Sequence, residues 1–241
     1  MPHDGAWSHV ERVATHRREV ALLVFERESS VAARDEIHFE IERAFIERAR
    51  LDQALTAYEE GRMMDAARGF LGLAREGHVM GAYNFAMMHL RKELPRSDPK
   101  TAVRWLRAAA SQGMPRAYFA LGLAHELGAG TGHAPSETQA YPYYLKAAEL
   151  GQVEAQVAVG TSLLLGRGVA RDMPRAAHWL GTAARQGDPA SQFMLGMMYE
   201  HGQGLSRDLH LARYWYEKAA ENGDETAGEK ARALSASLDP H

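Results

Sequence analysis

Twelve histidines are the residues of this 241-residue chain best suited to bind a metal or to exchange protons at neutral pH. None of them stands in a His-Glu-x-x-His arrangement or in another ligand spacing. His125-Glu126 lacks a second histidine, and His89 and His125 fall at a position that Tyr199 occupies later in the chain. We therefore interpret both histidines as packing residues and predict no metal site.

Phosphate binding and nucleophilic catalysis are the other chemistries to consider. The segment Gly128-Ala-Gly130-Thr-Gly132 has the composition of a phosphate-binding loop, but such a loop follows a strand and no strand is predicted here. The chain has no Gly-x-Ser-x-Gly nucleophile elbow. Paired carboxylates such as Glu59-Glu60 look like solvated helix ends. The sequence thus predicts no catalytic residue and no cofactor, and we do not expect an enzyme.

The Gly-x-Gly element recurs because it belongs to a repeated unit. Each unit closes on a glycine, and these glycines stand 36 or 38 residues apart at Gly77, Gly113, Gly151, Gly187 and Gly223. Between them recur a small residue, a Leu-Gly type of pair, the Gly-x-Gly turn, an alanine followed by an aromatic residue, and an Ala-Ala pair. A fixed period of this length predicts an array of one supersecondary unit.

Each unit is predicted to form two helices. In the first, Ser191, Leu195 and Met198 keep the i, i+4, i+7 spacing of one helical face. Gly196 would cost about 1 kcal/mol of helix propensity relative to Ala, so we expect it to allow a close approach of the second helix. The Gly-x-Gly turn would supply positive φ angles. Three aspartates are placed to cap second helices, namely Asp98, Asp172 and Asp208.

Two expectations concern the second helices. Trp215 and its counterparts are expected in the core, so that Trp215→Ala would cost about 3–5 kcal/mol. Pro142 falls inside a predicted second helix, which is expected to start late or to bend there.

The pattern Ala-x-x-x-Leu-Gly-x-x-Tyr, Gly-x-Gly, Asp, Ala-x-x-Trp-Tyr-x-Lys-Ala-Ala and a final Gly resembles the Sel1-like repeat, a relative of the tetratricopeptide repeat. The resemblance thins in 78–113, where Lys92 and Leu94 replace the two turn glycines. It implies an all-α fold, a right-handed superhelical solenoid of antiparallel helix pairs. It also implies an adaptor role in protein complexes.

The repeat columns divide the chain into seven segments. They are an N-terminal tail with an amphipathic helix (1–31), a degenerate opening hairpin of the tetratricopeptide type (32–77), a degenerate repeat (78–113), three further repeats (114–151, 152–187 and 188–223) and a C-terminal capping helix with its tail (224–241). Within the first two segments, 8–28 and 32–60 are each predicted to be helical.

Composition limits the partners and the compartment. The net charge is −3 and the isoelectric point about 6.5, so no basic field for nucleic acid or an anionic membrane is expected. The chain has no cysteine, whereas some secreted relatives staple each repeat with a disulfide. No signal-peptide pattern and no run of about 20 apolar residues occurs. We expect a cytoplasmic protein without a membrane span.

One stripe of the first helices, beside the core face, could bind a protein or peptide partner. Its candidate residues are Asn84, Met87, Arg91, Leu123, Thr161, Met194, Met197 and His201, and the stripe also includes Leu127 and Leu165. Each of these residues could instead pack against the neighbouring repeat.

The leading hypothesis is a non-catalytic adaptor that binds a protein partner of unknown identity. One alternative is a regulatory module that self-associates through the N-terminal helices, which leaves the oligomeric state open. Another is an enzyme that acts on cell-wall material. The lack of an export signal and of disulfides argues against this alternative.

Overall fold

The computed structural model describes residues 31–238, with side chains from residue 36 onward. The helix predicted for 8–28 lies outside the described residues. All regular secondary structure within 31–238 is helical. The helices are α1 Val31–Glu59, α2 Met63–Arg75, α3 Val79–Leu90, α4 Pro99–Ser111, α5 Pro115–Leu127, α6 Glu137–Glu149, α7 Val153–Leu165, α8 Met173–Arg185, α9 Pro189–His201, α10 Leu209–Glu221 and α11 Glu225–Leu238.

Each helix packs against the helices that precede and follow it in the chain. Odd-numbered helices α1 to α9 are the first helices of a pair, even-numbered helices are the second, and α11 closes the array on α10. Because packing is between sequence neighbours, the described part of the chain is a solenoid of helical hairpins. No helix between residues 31 and 238 is both long and apolar enough to cross a membrane.

The second helices α4, α6, α8 and α10 are each 13 residues long and share one kind of start. Asp98, Asp172 and Asp208 accept hydrogen bonds from backbone N–H groups of the first turn, which confirms them as N-caps. Ser136 takes this place in α6, where its hydroxyl accepts from the N–H of Gln139 at 3.3 Å.

Helix α6 corrects the expectation of a late start at Pro142. It begins at Glu137, in register with the other second helices, and continues through Pro142. The Ser136 cap fixes the first turn, and the proline ring lies on the exposed side of the helix, so one missing N–H near the start does not delay it.

The helical glycines allow a close approach, as predicted. A Cβ atom added to Gly160 would lie 2.7 Å from the Leu180 side chain, and one added to Gly196 would lie 2.8 Å from the ring of Tyr216. Both distances are too short for a real contact, so a side chain here would force the two helices of a pair apart. The glycines of the predicted turns also have the positive φ angles expected of them, 73° at Gly166 and 67° at Gly168.

The core residue of each second helix is not the one expected. Trp215 is only half-buried, whereas its neighbour Tyr216 is fully buried. The same holds in the other units, where the buried residues are Leu106, Tyr144 and Leu180. In the three later units the side chain at this position fills the space that the glycine on the first helix leaves open, and the aromatic residue before it is only half-buried.

Candidate functional site

The first-helix surface is formed by the eight candidate residues together with Leu127 and Leu165, on α3, α5, α7 and α9. None of the eight candidates is fully buried. Leu123, Arg91 and His201 are exposed, and the remaining five are half-buried. The structure distributes them over three separate environments along the solenoid.

At the N-terminal end, Asn84, Met87 and Arg91 come together. With Leu55 and Tyr58 of α1 they line a small cavity of about 90 Å³. The Arg91 guanidinium donates to the Tyr58 hydroxyl at 3.3 Å, and that hydroxyl donates to Glu93 Oε1 at 2.7 Å. Asn84 Nδ2 and Glu93 Oε2 have no hydrogen-bond partner among residues 31–238. This cavity thus combines apolar walls with one unused amide donor and one unused carboxylate acceptor.

In the middle of the array, Thr161 lines a groove between α5 and α7. The groove has a volume of about 190 Å³, and Ala158 and Ser162 share its α7 wall. Two exposed leucines stand on the same helices, Leu127 with 69% and Leu165 with 53% of the residue accessible. They are the last residues of α5 and α7 and occupy equivalent positions in consecutive units. Single exposed leucines are common on protein surfaces, and the feature particular to this pair is its recurrence at one position of consecutive units.

The groove also contains polar residues that sequence reasoning missed, namely Glu126, Glu137, Tyr144 and Arg167. The Tyr144 hydroxyl donates to the Glu126 carboxylate. Burial and this carboxylate raise the pKa of Tyr144, so the phenol stays protonated and serves as a donor. The available signal was a glutamate two residues before the first turn glycine, paired with a tyrosine in the next helix.

A second pair of this kind joins α9 and α10. Tyr216 donates to Glu200 Oε2 at 2.6 Å, and the ammonium of Lys230 on α11 lies 2.9 Å from the same oxygen. Burial alone would raise the pKa of Glu200, but the hydrogen bonds from Tyr216 and Lys230 lower it below its usual range. The equivalent positions of the other two units hold Leu90 with Leu106 and Leu164 with Leu180. Polar and apolar pairs therefore alternate along the solenoid.

Comparison with known protein families identifies the repeated helical unit. The sequence model of the Sel1 repeat matches residues 79–114, 115–152, 153–188 and 189–224, which is more than half of the chain. The chain belongs to the Sel1-repeat family. Its degenerate repeat, in which Lys92 and Leu94 replace the turn glycines, is among the four that match.

Two solved Sel1-repeat structures are similar over most of the chain. A Sel1-repeat protein from Oxalobacter formigenes is 33% identical with a TM-score of 0.66, over 70% of this chain and 49% of that one. A protective antigen of uropathogenic Escherichia coli strains, described as displaying an SLR fold, is 26% identical with a TM-score of 0.65, over 80% of this chain and 42% of that one. The chain therefore spans about half the length, or less, of these relatives. No curated protein matches it.

In the last Sel1 repeat, the candidate methionines take part in packing. Met194 packs against the buried cluster that contains Leu163, and Met197 packs against the cluster that contains Tyr216. His201 is exposed at the end of α9, with its Nε2 3.9 Å from Glu200 Oε2. Helical spacing predicted that these three residues share one surface stripe with Thr161. In the structure, the two methionines pack against buried clusters between the helices.

The two repeat histidines are packing residues, as interpreted from the sequence. His89 and His125 are each more than nine-tenths buried. His89 Nδ1 accepts from the Asp98 N–H at 3.0 Å, and the His125 ring stacks on Tyr143. Burial, opposed by the charge of Asp98, lowers the pKa of His89, so its ring is neutral at pH 7. No group of three or more potential metal ligands occurs among residues 31–238.

Proposed function

We propose that this Sel1-repeat chain is a non-catalytic adaptor that binds a protein partner through its first-helix surface. Sel1-repeat proteins are generally protein-interaction scaffolds and generally non-catalytic. The adaptor role, the surface and the partner of this particular chain are our proposal.

The observation that carries the proposal is the pair of exposed leucines at the ends of α5 and α7. Leu127 and Leu165 stand at equivalent positions on α5 and α7, two of the helices that line the groove with Thr161, and each leaves more than half of its surface in water. Burying such a side chain against a partner would contribute about 1.5–3 kcal/mol. Arg167 and Glu137 in the same groove can fix the orientation of a bound segment by hydrogen bonds.

The test is an affinity purification with the full chain and with a Leu127→Lys, Leu165→Lys variant. Lysine is chosen because a cation at the carboxyl end of a helix is favourable for the helix dipole, so the fold should be preserved. We expect the native chain to enrich a defined protein and the variant to lose at least about 90% of it, measured by quantitative mass spectrometry, because two buried leucines would account for more than 1.4 kcal/mol of binding.

The matched control is Leu150→Lys. Leu150 is also an exposed leucine at the end of a helix, but it follows the second helix α6 and lies outside the first-helix surface. The control should retain the partner. Equal recovery by the native chain and the double variant would place the binding site elsewhere, and loss in the control as well as in the double variant would indicate damage to the fold.

A further inference from the structure

A second apolar groove opens on another part of the molecule, between α2 and the turn that joins α3 to α4. We call it the turn groove. Its volume is about 400 Å³, which is within the range of ligand pockets. Its apolar lining comes from Met64, Ala67 and Leu71 of α2, Phe85 of α3, and Leu94 and Pro95 of the turn.

The groove exists where the repeat departs from its own pattern. In the three later units the second turn glycine touches the preceding second helix: an added Cβ atom at Gly130, Gly168 or Gly204 would overlap the backbone of the first residue of α4, α6 or α8. Leu94 occupies this place in the first unit, where the preceding second helix is α2. A leucine cannot approach the α2 backbone as closely as those glycines do, so the turn stands away from α2.

The conformation of the turn is preserved at its first glycine position and changed at its second, where Leu94 lacks the positive φ of Gly130, Gly168 and Gly204. Lys92 has the positive φ, 58°, that glycine has at the equivalent positions, and it is the only such non-glycine residue among residues 31–238. Leu94 and Met63 pack against the same buried cluster. The groove is therefore a fixed part of the fold, built by a side chain that separates two elements which are in contact elsewhere.

Charge around the turn groove is basic. Arg68 and Arg96 line it, and no acidic side chain does. Arg68 forms an ion pair with Asp65, whereas Arg96 has no ion-pair partner within the described part of the chain. A carboxylate brought to the groove would find a guanidinium with its donors unused, which favours bidentate binding.

One buried donor in the wall is also unused. His89 lines the groove, and only 7% of its surface is accessible to solvent. Its Nδ1 accepts from the Asp98 N–H, so the proton of the neutral ring is on Nε2, and Nε2 has no hydrogen-bond partner among residues 31–238. Since buried donors are usually paired, this N–H is an exceptional polar group behind an otherwise apolar wall.

We propose that the turn groove binds a short acidic and apolar segment of a partner protein. Bulky apolar side chains of the segment would cover Met64, Leu71 and Leu94, and a carboxylate of the segment would pair with Arg96. This site lies on α2 and the α3–α4 turn, away from the leucines of the first-helix surface, and the inference does not depend on the function proposed for that surface.

The experiment selects binders to the full chain from a library of random 12-residue peptides displayed on phage. We expect the enriched sequences to combine Phe or Leu with Asp or Glu. The best one is then made as a fluorescein-labelled peptide and titrated by fluorescence anisotropy. Met64→Glu and Arg96→Glu should each weaken its binding at least tenfold. The first places a charge where apolar side chains of the segment would pack, and the second reverses the charge that pairs with the carboxylate.

Both variants are chosen to leave the fold intact. Met64 is exposed in the first turn of α2, where an acidic residue is favourable for the helix dipole, and Arg96 is exposed in the turn. Arg107→Glu is the matched control, because it makes the same charge change on the exposed side of α4 and should bind the peptide as the native chain does. The Leu127→Lys, Leu165→Lys variant should also bind it fully, which separates failure of this inference from failure of the proposed function.

Four outcomes would overturn the inference. They are no enrichment, enriched peptides without acidic residues, binding that Met64→Glu and Arg96→Glu leave unchanged, and equal weakening by Arg107→Glu. Light scattering of the native chain at tens of micromolar gives a fifth: a dimer that Arg96→Glu dissociates would show that a second copy of this chain occupies the groove.

Discussion

At the scale of the residue, one side chain of the second helix in each of the three later units packs against the glycine of the first helix and fills the space between the two helices. Tyr216 and Tyr144 fill it with a phenol that reaches a glutamate, and Leu180 fills it with an apolar side chain. Leu106 has the equivalent position in the first unit, where Ala86 replaces the glycine. The same backbone arrangement accepts both kinds of side chain because the first helix changes with the second. A glutamate accepts from each tyrosine, whereas Leu90 and Leu164 pack against the clusters that contain Leu106 and Leu180. Leaving a buried hydroxyl without its partner costs free energy, which favours a glutamate opposite each of these tyrosines.

Substitutions at adjacent aromatic residues test this assignment. Tyr216→Ala should lower the free energy of unfolding by about 3–5 kcal/mol, because it removes a fully buried ring and leaves Glu200 without its donor. Trp215→Ala should cost less than Tyr216→Ala, since the indole is only half-buried. Urea denaturation of the two variants and the parent gives the comparison. A larger loss of stability for Trp215→Ala would show that Trp215 is the core residue, as the sequence predicted.

At the scale of the element, glycine has two different duties in each unit. Gly187 closes a unit with a φ of 93°, and nothing lies within 4 Å of the place where its Cβ atom would be. Gly204 has a φ of 71°, and its Cβ atom would overlap the backbone of Met173 in the preceding unit. The first glycine serves only the chain reversal, whereas the second also allows two units to touch.

The difference can be measured by alanine substitution. Gly187→Ala should cost about 1–2 kcal/mol for the left-handed conformation alone. Gly204→Ala should cost more free energy of unfolding. It has a similar cost for the left-handed backbone and adds a steric conflict with the Met173 backbone. Thermal or urea unfolding of both variants checks the order. Equal losses would mean that the turn can move away from α8 at no cost, and would weaken our account of how Leu94 opens the turn groove.

At the scale of the whole molecule, the solenoid contacts are local, so damage should stay local. Each helix packs on its chain neighbours, and such arrays behave as sums of unit and interface terms. In the Tyr216→Ala variant we expect faster amide hydrogen exchange in α9, α10 and α11, measured by mass spectrometry. Amides of α3 and α4 should keep their protection. Uniform loss of protection from α3 to α11 would show that the array unfolds as a single unit.

The two proposed binding surfaces also follow from this architecture. The first-helix surface extends over consecutive units, and its exposed leucines stand at equivalent positions on α5 and α7, whereas the same position holds Arg91 after α3 and His201 at the end of α9. The turn groove occurs at a unit that departs from the pattern, where Lys92 and Leu94 replace glycines. A regular array thus offers a repeated surface, and a local exception in it provides a distinct site.

Much of the fold could be predicted from the sequence because its signals are local. The period, the aspartate caps, the positive-φ glycines and the close approach at Gly196 each depend on residues within one unit, and the structure confirms them. The candidate site stays a prediction. Helical spacing placed Asn84, Met87 and Arg91 on one stripe, and the structure brings them to one cavity, but it gives Met194 and Met197 to the packing of the array.

The sequence by itself determined that this protein is a stack of helical pairs with Sel1-type turns, since backbone conformation and helix periodicity are set by neighbouring residues. Only the tertiary structure decided that Tyr216 and not Trp215 is the core residue, that Glu126 and Tyr144 share a groove with Thr161, and that Leu94 leaves a groove beside α2. These features depend on which side chain fills the space between two helices and how closely a turn can approach the preceding unit. Such distances join residues of different elements, and no spacing along the chain records them.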